Sequence, residues 1–160
     1  MKTTELKKLN NMKTILKIMN YDQIIKDEGS QELFTYAGLD CLIQRHKVLK
    51  VWVGYVFILR DHPLFGCGLY SRDSEAPNTS QDSIDITRAI NVHNGVSHSR
   101  SEYKYAKSKR WVIGINFSHS DDIIPPWSDL CSPTATYKNK EFALAETKKL
   151  ALALSLLESF

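Results

Sequence analysis

Along the first twenty residues the apolar side chains fall at Leu6, Leu9, Met12, Leu16 and Met19, steps of three and four that gather them on one stripe of a helix from about Thr4 to Met19. The stripe is narrow. It predicts a helix that packs on the main body, and a peripheral one, because a chain starting at Met12 would lack half of it.

From Leu33 the period shortens. Leu33-Phe-Thr-Tyr36, Cys41-Leu-Ile43 and Val51-Trp-Val-Gly-Tyr-Val-Phe-Ile-Leu59 read as strands. The last is apolar on both faces, as a central strand covered on both sides should be. Asp61-His-Pro-Leu-Phe-Gly66 breaks the pattern, since Pro63 has no amide hydrogen and holds His62 in extended geometry. Ser71 to Ser83 has the composition of a surface loop, a candidate lid. Strands are expected again at Ile90 to Ser97 and Trp111 to Phe117, forming a long hairpin, and Pro125-Pro126 ends that unit. Lys140 to Ser159 is rich in Ala, Leu, Glu and Lys, with Ala143, Thr147, Leu150, Leu154 and Leu157 along one side of a helix. The pattern predicts an α+β fold in which an antiparallel sheet of four to five strands (30–120) carries helices at both ends (1–20 and 139–159).

A chain of 160 residues is most economically one domain spanning 1–160. Its 42% hydrophobic and 24% charged residues are those of an ordinary globular protein. The net charge of +3 arises from 21 basic residues spread among 18 acidic ones, which argues against binding to long nucleic acids. The densest basic cluster, Lys104, Lys107, Lys109 and Arg110, is interleaved with Tyr103 and Tyr105; it suits a phosphate or a stacked base, and equally a solvated loop. Cys41, Cys67 and Cys131 are odd in number and lack CxxC spacing, so neither a disulfide framework nor a zinc knuckle is indicated. With no signal-peptide block and no bilayer-length apolar run, the expected location is cytoplasmic, with no membrane partner.

The chemistry is concentrated at predicted strand ends: His62 in DHPLFG, His93 and His98 in NVHNGVSHSR, and His119 in INFSHSDD. Strand alternation puts His93, Gly95 and Ser97 on one face and His98 on the other, unless Asn94-Gly95 makes a bulge or turn. Trp111, Ile113, Ile115, Phe117 and His119 share the core side of their strand. Asn116 projects the other way beside Gly114, toward whatever covers the second face, with an amide that can donate and accept at once.

Three readings stand for these residues. A metal site would draw on His93, His119, Asp121 and Asp122, but no HExxH or HxH motif accompanies them. A metal-free acid–base pair needs only two imidazoles and suits phosphodiester cleavage. The plain structural reading makes each histidine a satisfied polar residue at a strand end. Among aromatics, Phe65, Tyr70, Tyr103, Tyr105 and Trp127 can enclose a nucleobase, whereas Trp52, Tyr55, Phe57 and Phe117 belong to packing. Cys67 between two glycines reads as a buried, inert thiol.

The segments DHPLFG, VHNGVSHS and WVIGINFSH, in that order and followed by a helix opening near Tyr137, resemble a family of small phage and prophage proteins. Its members carry His-Pro-Leu-aromatic-Gly, Val-His-Gly-Gly and Gly-Phe-Asp-Cys-Ala-His segments. The likeness covers about residues 38–155. His62, His93 and His119 match; Asn94 stands for a glycine, Asn116 for the aspartate and Phe117-Ser118 for Cys-Ala, and the lost aspartate removes an anionic metal ligand. By analogy with viral proteins that counter bacterial defence, the resemblance implies a cofactor-free protein of the host cytoplasm acting on a nucleotide second messenger of the cyclic dinucleotide or cyclic ADP-ribose type. On that reading His93 and His119 are the acid–base pair and His62 or Lys109 steadies phosphate charge. Ser97, Asn116, Asn94, Tyr105, Lys109 and Trp127 bind the ligand, and homo-oligomerisation would add enclosure. Two alternatives stay open: a non-catalytic nucleotide sponge, and a protein-binding inhibitor.

Overall fold

A computed structural model describes residues 2–68, 90–101 and 110–158, and their side chains except those of residues 2 and 14–20. In chain order the elements are α1 (Lys2–Glu28), β1 (Gln31–Tyr36), β2 (Leu39–Arg45), β3 (Trp52–Leu59), β4 (His98–Ser101), β5 (Arg110–Asn116), a 3-10 helix (Pro125–Leu130) and α2 (Lys140–Leu157). The strands form one antiparallel sheet in the order β1-β2-β3-β5-β4, with helices from both ends of the chain packed against it. The fold is α+β. No helix among the described residues is long and apolar enough to cross a membrane.

Local sequence accounts for the hairpin that starts the sheet. β1 and β2 are joined by Ala37-Gly38, both with positive φ, the pair that matches the right-handed twist of the flanking strands. β3, the most apolar strand, lies at the centre of the sheet with Trp52, Val53, Val56 and Ile58 buried. Its alternate residues Trp52, Gly54, Val56 and Ile58 share a face with Ile113 and Ile115 of β5, and α2 covers that face through Ala143, Thr147, Leu150, Ala151 and Leu154. Each fully buried Leu or Ile here contributes about 1.5–3 kcal/mol. Asn139 caps α2, its side-chain oxygen accepting the Phe142 N–H at 2.8 Å.

Three expectations change. The strand foreseen at Ile90 to Ser97 is a turn, and β4 begins only at His98. Asn94 and Gly95 both adopt left-handed φ, which no strand accommodates, and the alternating Ile90, Val92 and Val96 enter the core from the turn. Pro125-Pro126 opens a 3-10 helix, Pro being tolerated where no helical N–H is needed. α1 is longer than its stripe, and the described part of that stripe, Leu6, Leu9 and Met12, is exposed.

The end of α1 near the sheet is held by polar contacts. Glu28 accepts the Trp52 indole N–H at 2.9 Å, the Tyr137 hydroxyl at 3.0 Å and the backbone N–H of Lys140. Buried Arg45 stacks over Trp52 and donates to the carbonyls of Gly29 and Lys50 and to the Tyr137 hydroxyl. Ser71 to Ser83, Tyr70, Tyr103, Lys104, Tyr105, Lys107 and Lys109 lie outside the described residues.

Candidate functional site

The turn at Val92–Gly95, the turn that follows β5, the first two turns of α2 and the segment leading into α2 meet around Asp122. This carboxylate is buried. His93 Nε2 lies 2.8 Å from its Oδ1 and 3.1 Å from its Oδ2. His119 reaches Oδ2 twice, through its backbone N–H at 3.0 Å and through Nδ1 at 3.4 Å. The Lys138 ammonium sits 3.0 Å from Oδ1 and also donates to Asp121 O, Thr136 O and Thr136 Oγ1.

Each contact has a local cause. Asp122 N–H closes a tight turn onto His119 O, which brings the carboxylate back under the His119 amide. The pairing of 121–123 with Thr136 then brings Lys138 to the same carboxylate. His93 is held from both sides: its backbone N–H donates to Glu146 Oε2 at 3.0 Å, and its ring stacks on Phe117 and meets the edge of Phe142. Glu146 is buried on α2, with its other oxygen on Lys149 at 2.6 Å.

Charge and protonation follow from this arrangement. Burial pushes the Asp122 carboxyl up, but the His119 N–H, the Lys138 ammonium and His93 outweigh it and hold the carboxyl below its usual range. An ionised carboxylate only accepts, so the His93 Nε2 that touches it carries the proton. Asn94 Nδ2 lies 3.0 Å from the same Nε2; two donors cannot bond each other, so the amide turned over, with its oxygen toward Nε2, is the orientation that fits a protonated nitrogen. If His119 likewise gives its Nδ1 proton to Asp122, its Nε2 is left as a base. The two rings stand 6.0 Å apart, nearly perpendicular.

His119, about one-third exposed, opens onto a groove of about 430 Å³ lined also by Ser118, Ser120, Ile124, Trp127, Leu130, Cys131 and Ser132. Trp127 and Leu130 are exposed there. A volume of this size suits one nucleotide unit of a larger ligand, with an aromatic face available for stacking.

Of the residues singled out in the sequence, His93, Asn94 and His119 come together, and His119 shares the lining of the groove with Trp127. His62 does not: it is buried, its Nδ1 accepts the Leu64 N–H, and its Nε2 donates to Leu154 O at 2.8 Å. Leu154 lies twelve residues beyond Phe142 on α2, about 18 Å along the helix, so this neutral ring pins the far end of α2. Ser97 spends its hydroxyl on Gly114 O, and Asn116 faces away from α2, beside Val53, with its buried Oδ1 unpartnered. His98 shares that opposite face, near Tyr55, where burial and the Arg100 charge lower its pKa. Tyr105 and Lys109 lie outside the described residues.

Sequence reasoning missed Glu146 and Lys138, and it weighed Asp122 only as a metal ligand. The signal for Glu146 was present: it falls three residues after Ala143 and four before Leu150, on the buried stripe of α2. Of the four metal-ligand candidates, the ligand atoms of His93, His119 and Asp122 lie within 4.8 Å of one another, whereas Asp121 is exposed and joins through its backbone oxygen. Compared with protein families, curated proteins and solved structures, the chain finds no match.

Proposed function

We propose that the groove beside His119 takes a nucleotide second messenger and that His119 and His93 cleave its phosphodiester by metal-free acid–base chemistry. The observation that carries this reading is the convergence of two imidazoles from distant segments on one buried carboxylate, at the edge of a groove that holds an exposed tryptophan. Asp122 orients both rings, as the buried carboxylate does in any triad of this logic. The ring that is neutral accepts the proton of the attacking water as the new P–O bond forms, and the other, in its imidazolium form, gives a proton to the leaving oxygen as the old P–O bond breaks; proton exchange with solvent restores both rings. The base of the nucleotide stacks on Trp127, and the Asn94 amide hydrogen-bonds the phosphate or base edge. Lys138 acts through Asp122: it balances the carboxylate charge and fills one of its oxygens, so that the second oxygen stays with His119.

A cyclic dinucleotide or cyclic ADP-ribose ligand fits the counter-defence setting implied by the resemblance to phage proteins. The test is to incubate the protein with a panel of both ligand types, heat-denature it and identify what is released. New products are expected, with turnover lowered about 100-fold or more in His119→Ala and in His93→Ala. Release of intact nucleotide would replace cleavage by sequestration in the same groove. A panel that is neither bound nor altered would end the nucleotide reading.

A further inference from the structure

We propose that His93, His119 and Asp122 also form a binding site for a divalent transition ion of the zinc class, and that this ion competes with the acid–base work of the same groups. Ion binding stands on the geometry alone; the competition rests on the function proposed above.

Donors at about 2.0–2.2 Å from a tetrahedral zinc stand about 3.3–3.5 Å from one another. Measured from Asp122 Oδ2, His93 Nε2 lies at 3.1 Å and His119 Nδ1 at 3.4 Å. His93 Nε2 also has a shorter hydrogen bond to Oδ1 at 2.8 Å, but as edges of a coordination tetrahedron the two Oδ2 distances are close to the required length. One ligand nitrogen of each ring and one Asp122 oxygen lie within 4.8 Å of one another, and rotation of the partly exposed His119 ring can close the third edge. The fourth position then faces the groove, where water can fill it.

The donor set selects the ion. Two imidazoles and one carboxylate oxygen suit zinc and its neighbours, whereas magnesium and calcium want oxygen shells that this cluster does not supply. The His119 backbone N–H and the Lys138 ammonium already fix the carboxylate orientation, which is the task of outer groups at metal centres. Lys138 on Oδ1 also confines the carboxylate to one coordinating oxygen and puts a positive charge nearby, so affinity is weaker than that of a structural zinc. On binding, each neutral ring moves its proton to its other nitrogen and a protonated ring releases one to solvent; no other bond is made or broken. With both rings coordinated, neither can shuttle a proton.

The experiment is a calorimetric titration of the tag-free full chain with zinc chloride, and separately with magnesium chloride, alongside His119→Ala and His93→Gln checked for fold by circular dichroism. The expected result is saturable one-to-one zinc binding, no magnesium binding, and affinity at least about 10-fold weaker in each variant. No saturable binding, or unchanged affinity in both folded variants, overturns the site. Nucleotide turnover should fall in step with zinc occupancy and return on chelation. Turnover that rises with zinc overturns the competition and the metal-free mechanism together. Zinc binding that the variants weaken, in a protein inert toward every nucleotide, leaves the ion site standing and removes only the proposed function.

Discussion

Asp122 is the residue on which the site's order depends, since its two oxygens hold His93, His119 and Lys138 together in a buried place. Asp122→Asn leaves the Lys138 ammonium without its counter-charge and both imidazoles without their anionic acceptor, and should cost about 3 kcal/mol near neutral pH. The pH dependence has a definite sign. The folded carboxyl titrates below its unfolded value of about 3.9, so its stabilisation is complete above that pH and is lost as pH falls through the folded value. Urea unfolding of wild type and Asp122→Asn should therefore differ most at pH 6 to 7 and converge below about pH 4; a difference that persists undiminished at pH 3 would assign it to packing instead. At this scale the sequence disclosed the chemistry better than the geometry. His93 and His119 stood out as polar residues beside apolar runs, but so did His62, whose ring turns inward to satisfy Leu64 and Leu154. Side-chain destination depends on the chain path after Pro63, which no local spacing encodes.

Between elements, α2 packs closely on β3. Gly54 lies directly beneath Thr147, and a methyl group there would run into the Thr147 hydroxyl and crowd Ile115. Neither neighbour can yield cheaply, because Thr147 Oγ1 is already bonded to Ala143 O at 2.7 Å and Ile115 is fully buried. Gly54→Ala should lower stability by about 1–3 kcal/mol, read as a shift of the urea midpoint, and Gly54→Ala with Thr147→Ala should recover part of the loss. Full additivity of the two substitutions would mean that the residues do not touch. The strands and the buried stripe of α2 were legible because period two and period 3.6 are set by burial itself. The strand expected at Ile90 to Ser97 was not, for a related reason: Ile90, Val92 and Val96 fall at even positions as the buried side of a strand would, yet they enter the core, and His93 meets Phe117, from a turn whose Asn94 and Gly95 are left-handed. Alternation reports which side chains are buried, and a tight turn beside a core can bury alternate residues as a strand does.

Over the whole molecule, sheet and α2 form the packed body, and α1 joins it by its last turns. The Glu28 hub links α1 to Trp52, Tyr137 and the start of α2, and Tyr21 packs on Tyr137, whereas Leu6, Leu9 and Met12 stand in solvent. The described part of the apolar stripe, Leu6, Leu9 and Met12, thus does not identify the face that docks. The body draws on Glu28 and Tyr21, which lie outside the stripe. Among the described residues, removing 1–13 takes away no buried apolar side chain, so the shortened chain should unfold within about 1 kcal/mol of the full one, a change of no more than about 4 °C in Tm. Glu28→Ala in the full chain strands the Trp52 indole N–H and the Lys140 amide, each a loss of about 1–3 kcal/mol, and should lower Tm by clearly more than the truncation does. Scanning calorimetry on the two variants decides between the placements. A truncation more harmful than Glu28→Ala would mean that the first half of α1 is packed in solution, on the body or on a second copy, and that its exposed leucines are covered.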